Sequence, residues 1–229
     1  MSNQPLKYTC EELAKMIDHS LLHPTLTDQE LEAGCRLAAQ YGTASVCIKP
    51  YFVRRAAELL KGTGVIVGGV VGFPHGSSTT ESKRYETQLA CEDGAAEIDM
   101  VINVGKALSG EWDYVERDVK TVCVEAHKRG AKVKVIFEND YLGKGGAGLN
   151  GDDFKRRLCQ VCERAEADWV KTQTKVRMAA ARNKLVAKSF MANRELREAV
   201  ETTSEETKWR DFIKPPANRN WREGLTEIQ

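Results

Sequence analysis

Apolar, β-branched runs recur along the first three quarters of the chain, and segments with helical periodicity separate them. Such runs are typical of strands, whose side chains point alternately to the two faces of a sheet. The most apolar runs leave neither face polar, as expected for parallel strands that are covered on both sides. The predicted strands are Met16–Leu22, Ala44–Ile48, Gly64–Phe73, Ala96–Val104, Lys132–Glu138 and Asp168–Thr172.

The segments between these runs carry start and stop signals for helices. Thr27 precedes acidic residues and is a candidate N-cap, and Asp113 is a second candidate. Several patterns stop at a glycine, such as Gly42 or Gly94. The predicted helices are Asp28–Tyr41, Tyr51–Leu60, Glu81–Glu92, Trp112–Lys128 and Asp152–Ala165.

Strand and helix alternate along the chain, which indicates an α/β protein with parallel strands and crossover helices. Two arrangements are compatible with this alternation: an open doubly wound sheet and a TIM-type (β/α)8 barrel. Six strand-helix units are recognisable by Thr174, whereas a complete barrel needs two more. We therefore expect a barrel that is incomplete.

The remaining segment, 175–229, differs in composition. Gly224 is its only glycine, and no apolar β-branched run occurs in it. It reads as a polar helix over about residues 175–203 followed by an irregular end. The predicted domains are thus a barrel core, 1–174, and an atypical polar helical tail, 175–229, in place of the last strands.

Composition and charge narrow the function classes. The 229 residues are 41% hydrophobic and 29% charged, with a formal net charge of +1. This balance is ordinary for a globular protein and does not favour nucleic acid or a membrane surface as a partner. The chain lacks an apolar run of roughly 20 residues and a signal-peptide pattern, so we expect a cytoplasmic protein. Its seven scattered cysteines then read as reduced thiols.

Lys171 is the first candidate for chemistry, because a lysine near the carboxyl end of a buried strand is unusual. If Val170 packs outward against helices, Trp169 and Lys171 point into the barrel. A buried amine that loses its proton is a nucleophile and condenses with an aldehyde or a ketone to give an imine. The alternative is a strand-end lysine whose ammonium group reaches solvent.

Asp99 and Lys134 are the next candidates. With Ile98 outward, Asp99 faces the interior, where a carboxylate either transfers protons or forms a structural ion pair. Lys134 faces inward from the strand before that of Lys171, so the two amines should be neighbours. Because like charges lower the pKa of an amine, Lys134 is expected to help to keep Lys171 unprotonated.

Two further motifs are less specific. Gly143-Lys-Gly145-Gly-Ala-Gly148 fits the pattern G-x-G-x-x-G, but it lacks the acidic residue expected after the next strand. It reads as a strand-to-helix loop, with a nucleotide-binding module as the alternative. Cys159-x-x-Cys162 has no second pair of cysteines and is interpreted as helix packing.

Six motifs together resemble the deoxyribose-phosphate aldolase family over about residues 16–174. The resemblance is carried, in the order of that family, by Ile17-Asp-His-Ser-Leu-Leu-His-Pro24, Ala44-Ser-Val-Cys-Ile-Lys-Pro50, Val70-Val-Gly-Phe-Pro-His-Gly76 with Thr79-Thr-Glu-Ser-Lys83, Glu97-Ile-Asp-Met-Val-Ile-Asn-Val-Gly105, Lys132-Val-Lys-Val-Ile-Phe-Glu138 and Trp169-Val-Lys-Thr172.

The resemblance implies a (β/α)8 barrel that cleaves 2-deoxy-D-ribose 5-phosphate into D-glyceraldehyde 3-phosphate and acetaldehyde, without a metal or an organic cofactor. It implies that Lys171 forms the Schiff base and that Asp99 transfers protons. Lys134 would lie beside the nucleophile, and Asp18 and Cys47 would line the substrate pocket. A small phosphorylated sugar is the implied partner, and a homodimer is the implied assembly.

The chain departs from the family after Lys171. The family continues this motif as Lys-Thr-Ser-Thr-Gly, whereas this chain reads Lys171-Thr-Gln-Thr-Lys175. The second catalytic lysine of the family and its phosphate-binding motifs have no match. Lys214-Pro-Pro-Ala217 stands where that lysine is expected, so we hypothesise a frame-shifted or mis-spliced tail. Translation of the neighbouring reading frame tests this, since a frame without a Gly-Gly motif contradicts it.

Four interpretations therefore follow from the sequence. The first is a Schiff-base aldolase for deoxyribose 5-phosphate. The others are a catalytically impaired or inactive aldolase remnant, a Schiff-base aldolase of another specificity, and a nucleotide-binding module.

Overall fold

The structure is a computed structural model that describes residues 8–143 and 145–171. Almost all of these residues belong to one compact unit, Glu11–Thr174. The strands of the described part are β1 (Asp18–Leu21), β2 (Ser45–Ile48), β3 (Ile66–Val71), β4 (Glu97–Val101), β5 (Lys132–Ile136) and β6 (Trp169–Lys171). Its α-helices are α1 (Cys10–Ala14), α2 (Asp28–Tyr41), α3 (Val53–Leu60), α4 (Thr80–Glu92), α5 (Val104–Leu108), α6 (Trp112–His127), α7 (Asn139–Leu142) and α8 (Gly151–Arg164).

The six strands of the described part form one sheet in the order β1-β2-β3-β4-β5-β6, and each strand is parallel to the next. An order without reversal is that of a (β/α)8 barrel, whereas a doubly wound sheet reverses at a switch point. The predicted TIM-type α/β fold is therefore confirmed for these six units, which form a half-barrel. The predicted polar tail lies outside the described residues.

Side-chain alternation divides each strand between an outer and an inner face. The outward residues pack under the helices in one apolar core, as Ile98 and Met100 of β4 and Val133 and Val135 of β5 do without solvent exposure. Burial of an aliphatic side chain of this size contributes about 1.5–3 kcal/mol. The inner faces carry ionisable residues together with apolar ones such as Val101 and Ile136, and the sheet order brings the ionisable residues together.

The helix limits follow local rules. At α2, the hydroxyl of Thr27 accepts a hydrogen bond from the backbone N–H of Glu30, whose carboxylate accepts one from the backbone N–H of Thr27 at 2.8 Å. Gly42 ends this helix with a φ of 62°. Both predictions are confirmed. The prediction of Asp113 as an N-cap is wrong, because α6 begins at Trp112 and Asp113 lies within the first turn.

A buried ion pair joins α4, α6 and β4 on the outer side of the sheet. The amine of Lys83 lies 2.5 Å from a carboxylate oxygen of Asp118, and neither side chain is exposed. The same amine donates a hydrogen bond of 2.9 Å to the carbonyl of Val101, and Thr80 donates one of 2.9 Å to Asp118. This network holds the carboxyl end of β4, the strand that carries Asp99, against two helices.

The loop after β3 packs closely against the end of β4. Gly76 has a φ of 67°, and a Cβ atom at this position would lie 1.7 Å from the carbonyl oxygen of Ile102. Only glycine fits both the conformation and the space. The motif that ends at Gly76 therefore closes the carboxyl edge of the sheet next to β4.

A membrane-spanning helix would need a long apolar segment. None of the helices in the described part has the necessary combination of length and apolarity.

Candidate active site

The inner face of the half-barrel carries a cluster of ionisable side chains from five of its six strands. Side chains alternate between the two faces of a strand, so these residues point to the interior while their neighbours in the sequence point outward. The cluster consists of Asp18 on β1, Cys47 on β2, Glu97 and Asp99 on β4, Lys134 on β5 and Lys171 on β6. It contains all the residues that the sequence analysis assigned to the site, and Glu97 in addition.

Lys171 lies at the end of β6 and faces inward, as predicted. Its amine donates hydrogen bonds to Asp99 Oδ2 at 2.5 Å and to Asp18 Oδ2 at 2.8 Å. Its side chain is 33% exposed, so the site does not enclose it completely. The two carboxylates fix the position of the amine.

Asp99 is the most enclosed member of the cluster, with no exposure of its side chain. Its Oδ2 atom accepts hydrogen bonds from Lys171 and from the thiol of Cys47, whose sulfur lies 3.4 Å away. Its Oδ1 atom lies 3.2 Å from the amine of Lys134, but the angles do not make a hydrogen bond. Oδ1 is therefore a buried acceptor with capacity for a proton or a hydroxyl group.

Lys134 connects the carboxylates of the cluster. Its amine donates a short hydrogen bond to Glu97 and lies 3.7 Å from Asp18 Oδ2, in addition to its approach to Asp99. The strand register places Lys134 directly beside Asp99 and Trp169. Lys134 lies near Lys171 because the amines of both lysines contact the carboxylates of Asp18 and Asp99.

The carboxylates also determine the protonation of Lys171. Burial by itself would lower the pKa of this amine, yet the surrounding negative charge raises it above the ordinary lysine value. Cys47 adds to that charge only as a thiolate, and burial raises the pKa of its thiol well above the usual range. At neutral pH the thiol is neutral, so the effect comes from Asp99 and Asp18.

The pKa of Lys134 is raised as well, because Asp99, Asp18 and Glu97 outweigh the effect of burial. The expectation that Lys134 keeps Lys171 unprotonated is therefore wrong for the site without substrate. Three carboxylates accompany two amines, so attraction to carboxylates exceeds repulsion between the ammonium groups.

Two inward residues that the sequence analysis did not assign take part in the site. Glu97 has the same side-chain parity as Asp99, two residues away, and this parity would have been enough to find it. Ser45 precedes Cys47 on β2 by two residues, and its hydroxyl donates a hydrogen bond of 2.8 Å to Asp18 Oδ1. Asn103, which follows β4, caps α5 by accepting a hydrogen bond from the backbone of Lys106 at 3.0 Å.

Asp18, Cys47 and Asp99 also place one potential metal-ligand atom each within 4.8 Å of the others. The ammonium groups of Lys134 and Lys171 lie among the same carboxylate oxygens and would repel a cation. The donor set therefore suits amine chemistry better than metal binding.

The glycine-rich segment does not have the geometry of a dinucleotide site. The short helix α7 separates it from β5, whereas the fingerprint needs a turn that leads directly from strand to helix. The side chain of Asn150 accepts hydrogen bonds from the backbone of Asp152 and Asp153 at the start of α8. These N–H groups are thus already bonded, which contradicts the nucleotide-binding interpretation.

Comparison with known proteins agrees with this geometry. The model of the DeoC/LacD family of aldolases matches residues 13–208, which is most of the chain. The chain belongs to this family. Among its curated relatives, a deoxyribose-phosphate aldolase from Rhodopirellula baltica is 47% identical over 167 residues, which are 73% of this chain and 66% of that enzyme.

Two solved structures of the same kind are similar to this chain. A candidate deoxyribose-phosphate aldolase from Coccidioides immitis has a TM-score of 0.67 at 32% identity and covers 76% of this chain and 65% of its own. A deoxyribose phosphate aldolase from Aeropyrum pernix, described as a unique tetramer, has a TM-score of 0.61 at 29% identity, with coverage of 82% and 75%. The chain spans just under two thirds of the Rhodopirellula and Coccidioides proteins.

The comparisons confirm the resemblance and extend it. The motifs recognised in the sequence end near Thr174, whereas the family match continues to residue 208. Part of the predicted tail is therefore similar in sequence to these aldolases. The boundary between the two predicted domains, and the hypothesis of a shifted reading frame, stay predictions.

Proposed function

We propose that this protein is a class I aldolase that cleaves 2-deoxy-D-ribose 5-phosphate into D-glyceraldehyde 3-phosphate and acetaldehyde, with Lys171 as the Schiff-base lysine. The observation that carries the proposal is the contact of 2.5 Å between the amine of Lys171 and the fully buried carboxylate of Asp99. It combines a nucleophile and a proton-transfer group in one water-poor site. Relatives in this family that are named deoxyribose-phosphate aldolase support this substrate.

The reaction begins with proton transfer from Lys171 to Asp99, which neutralises both groups. The free amine then adds to the aldehyde carbon C1 of the open-chain sugar. Asp99 returns the proton to the hydroxyl of the resulting carbinolamine, which leaves as water. Overall, an ammonium ion and an aldehyde become an iminium ion and water, so the positive charge at the Lys171 position is retained.

The raised pKa of Lys171 has two consequences for this step. It reduces the fraction of free amine at neutral pH, and it reflects an environment that favours a cation on this nitrogen. The iminium carries its charge in the same place, so the carboxylates of Asp99 and Asp18 stabilise the intermediate as they stabilise the ammonium ion.

Carbon–carbon cleavage uses the iminium as the electron acceptor. Removal of the proton from the C3 hydroxyl turns C3 into an aldehyde, the C2–C3 bond breaks, and its electron pair forms an enamine on Lys171. A proton then returns to C2, and water hydrolyses the iminium to release acetaldehyde. Asp99 is the buried acceptor assigned to these proton transfers, while Asp18, Cys47 and Lys134 line the pocket and hold its charge distribution.

Reductive trapping tests the assignment of Lys171. Incubation with deoxyribose 5-phosphate and borohydride should reduce the imine to a stable secondary amine on the peptide that contains Lys171, as mass spectrometry detects. The variant Lys171→Ala should give no labelled peptide, and Lys61→Ala, which removes an exposed lysine beyond α3, should label normally. Labelling that persists in Lys171→Ala would show that another lysine is the nucleophile.

Turnover distinguishes the proposed enzyme from the alternatives. An impaired or inactive remnant, which none of the comparisons supports, would form little or no product from deoxyribose 5-phosphate. An aldolase of another specificity would form an imine with other aldehydes but not cleave this sugar. The predicted homodimer and the cytoplasmic location stay predictions, and sedimentation of the purified chain would measure the former.

A further inference from the structure

Glu97 is a buried carboxylate on the inner face of β4 that the reaction above does not use. Its side chain is 12% exposed and forms a short ion pair with the amine of Lys134. Gly68 lies beside it on β3, with no side chain to compete for the space, and a Cβ atom there would lie 3.7 Å from that of Glu97. The side chain of Glu97 reaches toward β5, where Lys134 lies two residues after Lys132, the register partner of Glu97.

Three carboxylates lie within 4 Å of the amine of Lys134. Its amine lies 3.2 Å from Asp99 Oδ1 and 3.7 Å from Asp18 Oδ2, yet the hydrogen bond is made with Glu97. Without Glu97, the whole charge of Lys134 would act on Asp99 and Asp18, the same two carboxylates that hold Lys171.

We infer that Glu97 is a positioning residue of the proposed aldolase reaction: by engaging Lys134, it leaves Asp99 free to exchange a proton with Lys171. The inference rests on the proposed function. Glu97 itself does not touch Lys171 or the reacting atoms among the contacts described above. It acts by determining how much positive charge Asp99 experiences from its second lysine neighbour.

The charge balance explains why this matters. The cluster of three carboxylates (Asp18, Glu97 and Asp99) and two ammonium groups (Lys134 and Lys171) carries one net negative charge, which favours the ammonium form of Lys171. Two further titratable groups lie on the neighbouring strands: the neutral thiol of Cys47 on β2 contacts Asp99, and Lys132 on β5 is in register with Glu97, but its amine lies over the ring of Trp169. Loss of the charge of Glu97 leaves two carboxylates and two ammonium groups in this cluster and frees Lys134 to engage Asp99, so Asp99 should accept a proton from Lys171 less readily.

The variant Glu97→Gln keeps the size of the side chain and removes its charge. The midpoint of the pH dependence of borohydride trapping at Lys171 should move to lower pH by about one unit, as expected for one charge removed from a buried cluster. Steps that need Asp99 as a base should slow, with kcat reduced by about tenfold. Glu58→Gln removes an exposed carboxylate on α3 and should keep the wild-type midpoint.

A second comparison tests whether the effect passes through Lys134. In the background Lys134→Met, Glu97→Gln should shift the midpoint by clearly less than in the wild-type background. An equal shift in both backgrounds, or an unchanged midpoint in Glu97→Gln alone, would overturn the inference.

If Glu97→Gln does not fold, Glu97→Asp is measured instead, because its shorter side chain also releases Lys134 toward Asp99. An unchanged midpoint in Glu97→Asp would then be the contrary result.

These results are separate from those that test the proposed function. Failure of the wild-type protein to trap the sugar would refute the aldolase itself. Normal trapping with no response to Glu97 refutes only the positioning role.

Discussion

The amine of Lys171 and the carboxylate of Asp99 are 72 positions apart in the sequence and 2.5 Å apart in the structure. They meet because β4 and β6 flank β5 in a parallel sheet and because residues that are in register across these strands point to the same face. The carboxylate of Asp99 contributes to the raised pKa of Lys171, so the protonation of that amine is not a property of the lysine alone. The proposed chemistry and the protonation of the site depend on this contact.

The first prediction concerns proton transfer by Asp99. Asp99→Asn preserves the shape of the side chain but removes the acceptor of protons, so kcat for cleavage of deoxyribose 5-phosphate should fall by about 10²- to 10⁴-fold. Because Asp99 also transfers protons during imine formation, trapping by borohydride should slow as well, but the label should still lie on Lys171. Steady-state kinetics and mass spectrometry on the same preparation measure both effects.

The control for that variant is Asp113→Asn, which changes an exposed aspartate in the first turn of α6. It should keep wild-type turnover. Wild-type turnover in Asp99→Asn would instead assign Asp99 to a structural ion pair, the alternative that the sequence analysis left open.

The second prediction concerns acid stability. Burial tends to raise the pKa of Asp18, but the ammonium groups of Lys171 and Lys134 lower it below the usual value. Because the folded-state pKa is lower than that of the unfolded chain, Asp18 stabilises the folded protein above about pH 3.9, and this contribution is lost as the pH falls through the folded-state pKa.

Urea unfolding of wild-type protein between neutral pH and pH 3 should therefore show a loss of stability that is smaller in Asp18→Asn. The comparison isolates Asp18 because the variant keeps the other carboxylates. An identical dependence on pH in both proteins would mean that Asp18 has the same proton affinity in the folded and unfolded states.

The third prediction concerns the buried pair behind β4. Lys83→Met leaves the carboxylate of Asp118 buried without its partner, which should lower the free energy of unfolding by about 3–5 kcal/mol. The double variant with Asp118→Leu removes both charges and should recover much of the loss. Chemical denaturation of both variants measures the difference, and a loss in the double variant as large as in Lys83→Met would argue against an unpaired charge as the cause.

The fourth prediction concerns the loop that closes on β4. Gly76→Ala combines a positive φ with a Cβ atom 1.7 Å from the carbonyl oxygen of Ile102, so it should destabilise the protein by more than about 2 kcal/mol. Gly62→Ala is the matched control, because Gly62 has a φ of 78° but no atom within 4 Å of the added Cβ. It should cost about 1–2 kcal/mol, and equal losses in the two variants would contradict the clash.

Much of the fold could be predicted from the sequence, because buried apolar positions recur with the period of a strand or a helix. Ile98 and Met100 are apolar on the side that meets the helices, so the inward direction of Asp99 followed from parity alone. The same reasoning placed Lys134 and Lys171 on the inner face. Parity applies equally to Glu97, and its role went unassigned because a carboxylate on a strand does not reveal its partner.

Other features depend on distances that no local pattern contains. The pair of Lys83 and Asp118 joins two helices across 35 positions, and each residue taken alone resembles a solvated helix charge. The pKa of Lys171 was predicted in the wrong direction because the sequence did not show that the carboxylates of Asp18 and Asp99 contact both amines.

The amino-acid sequence alone determined the alternation of strand and helix, the face on which each strand residue lies and the family to which the motifs point. These properties follow from local periodicity and residue type. Only the tertiary structure decided which charges share a hydrogen bond, which lysine engages Glu97 and how tightly the amine of Lys171 keeps its proton. Coulomb energies depend on separation and burial, and both are set by strands that are distant in the chain.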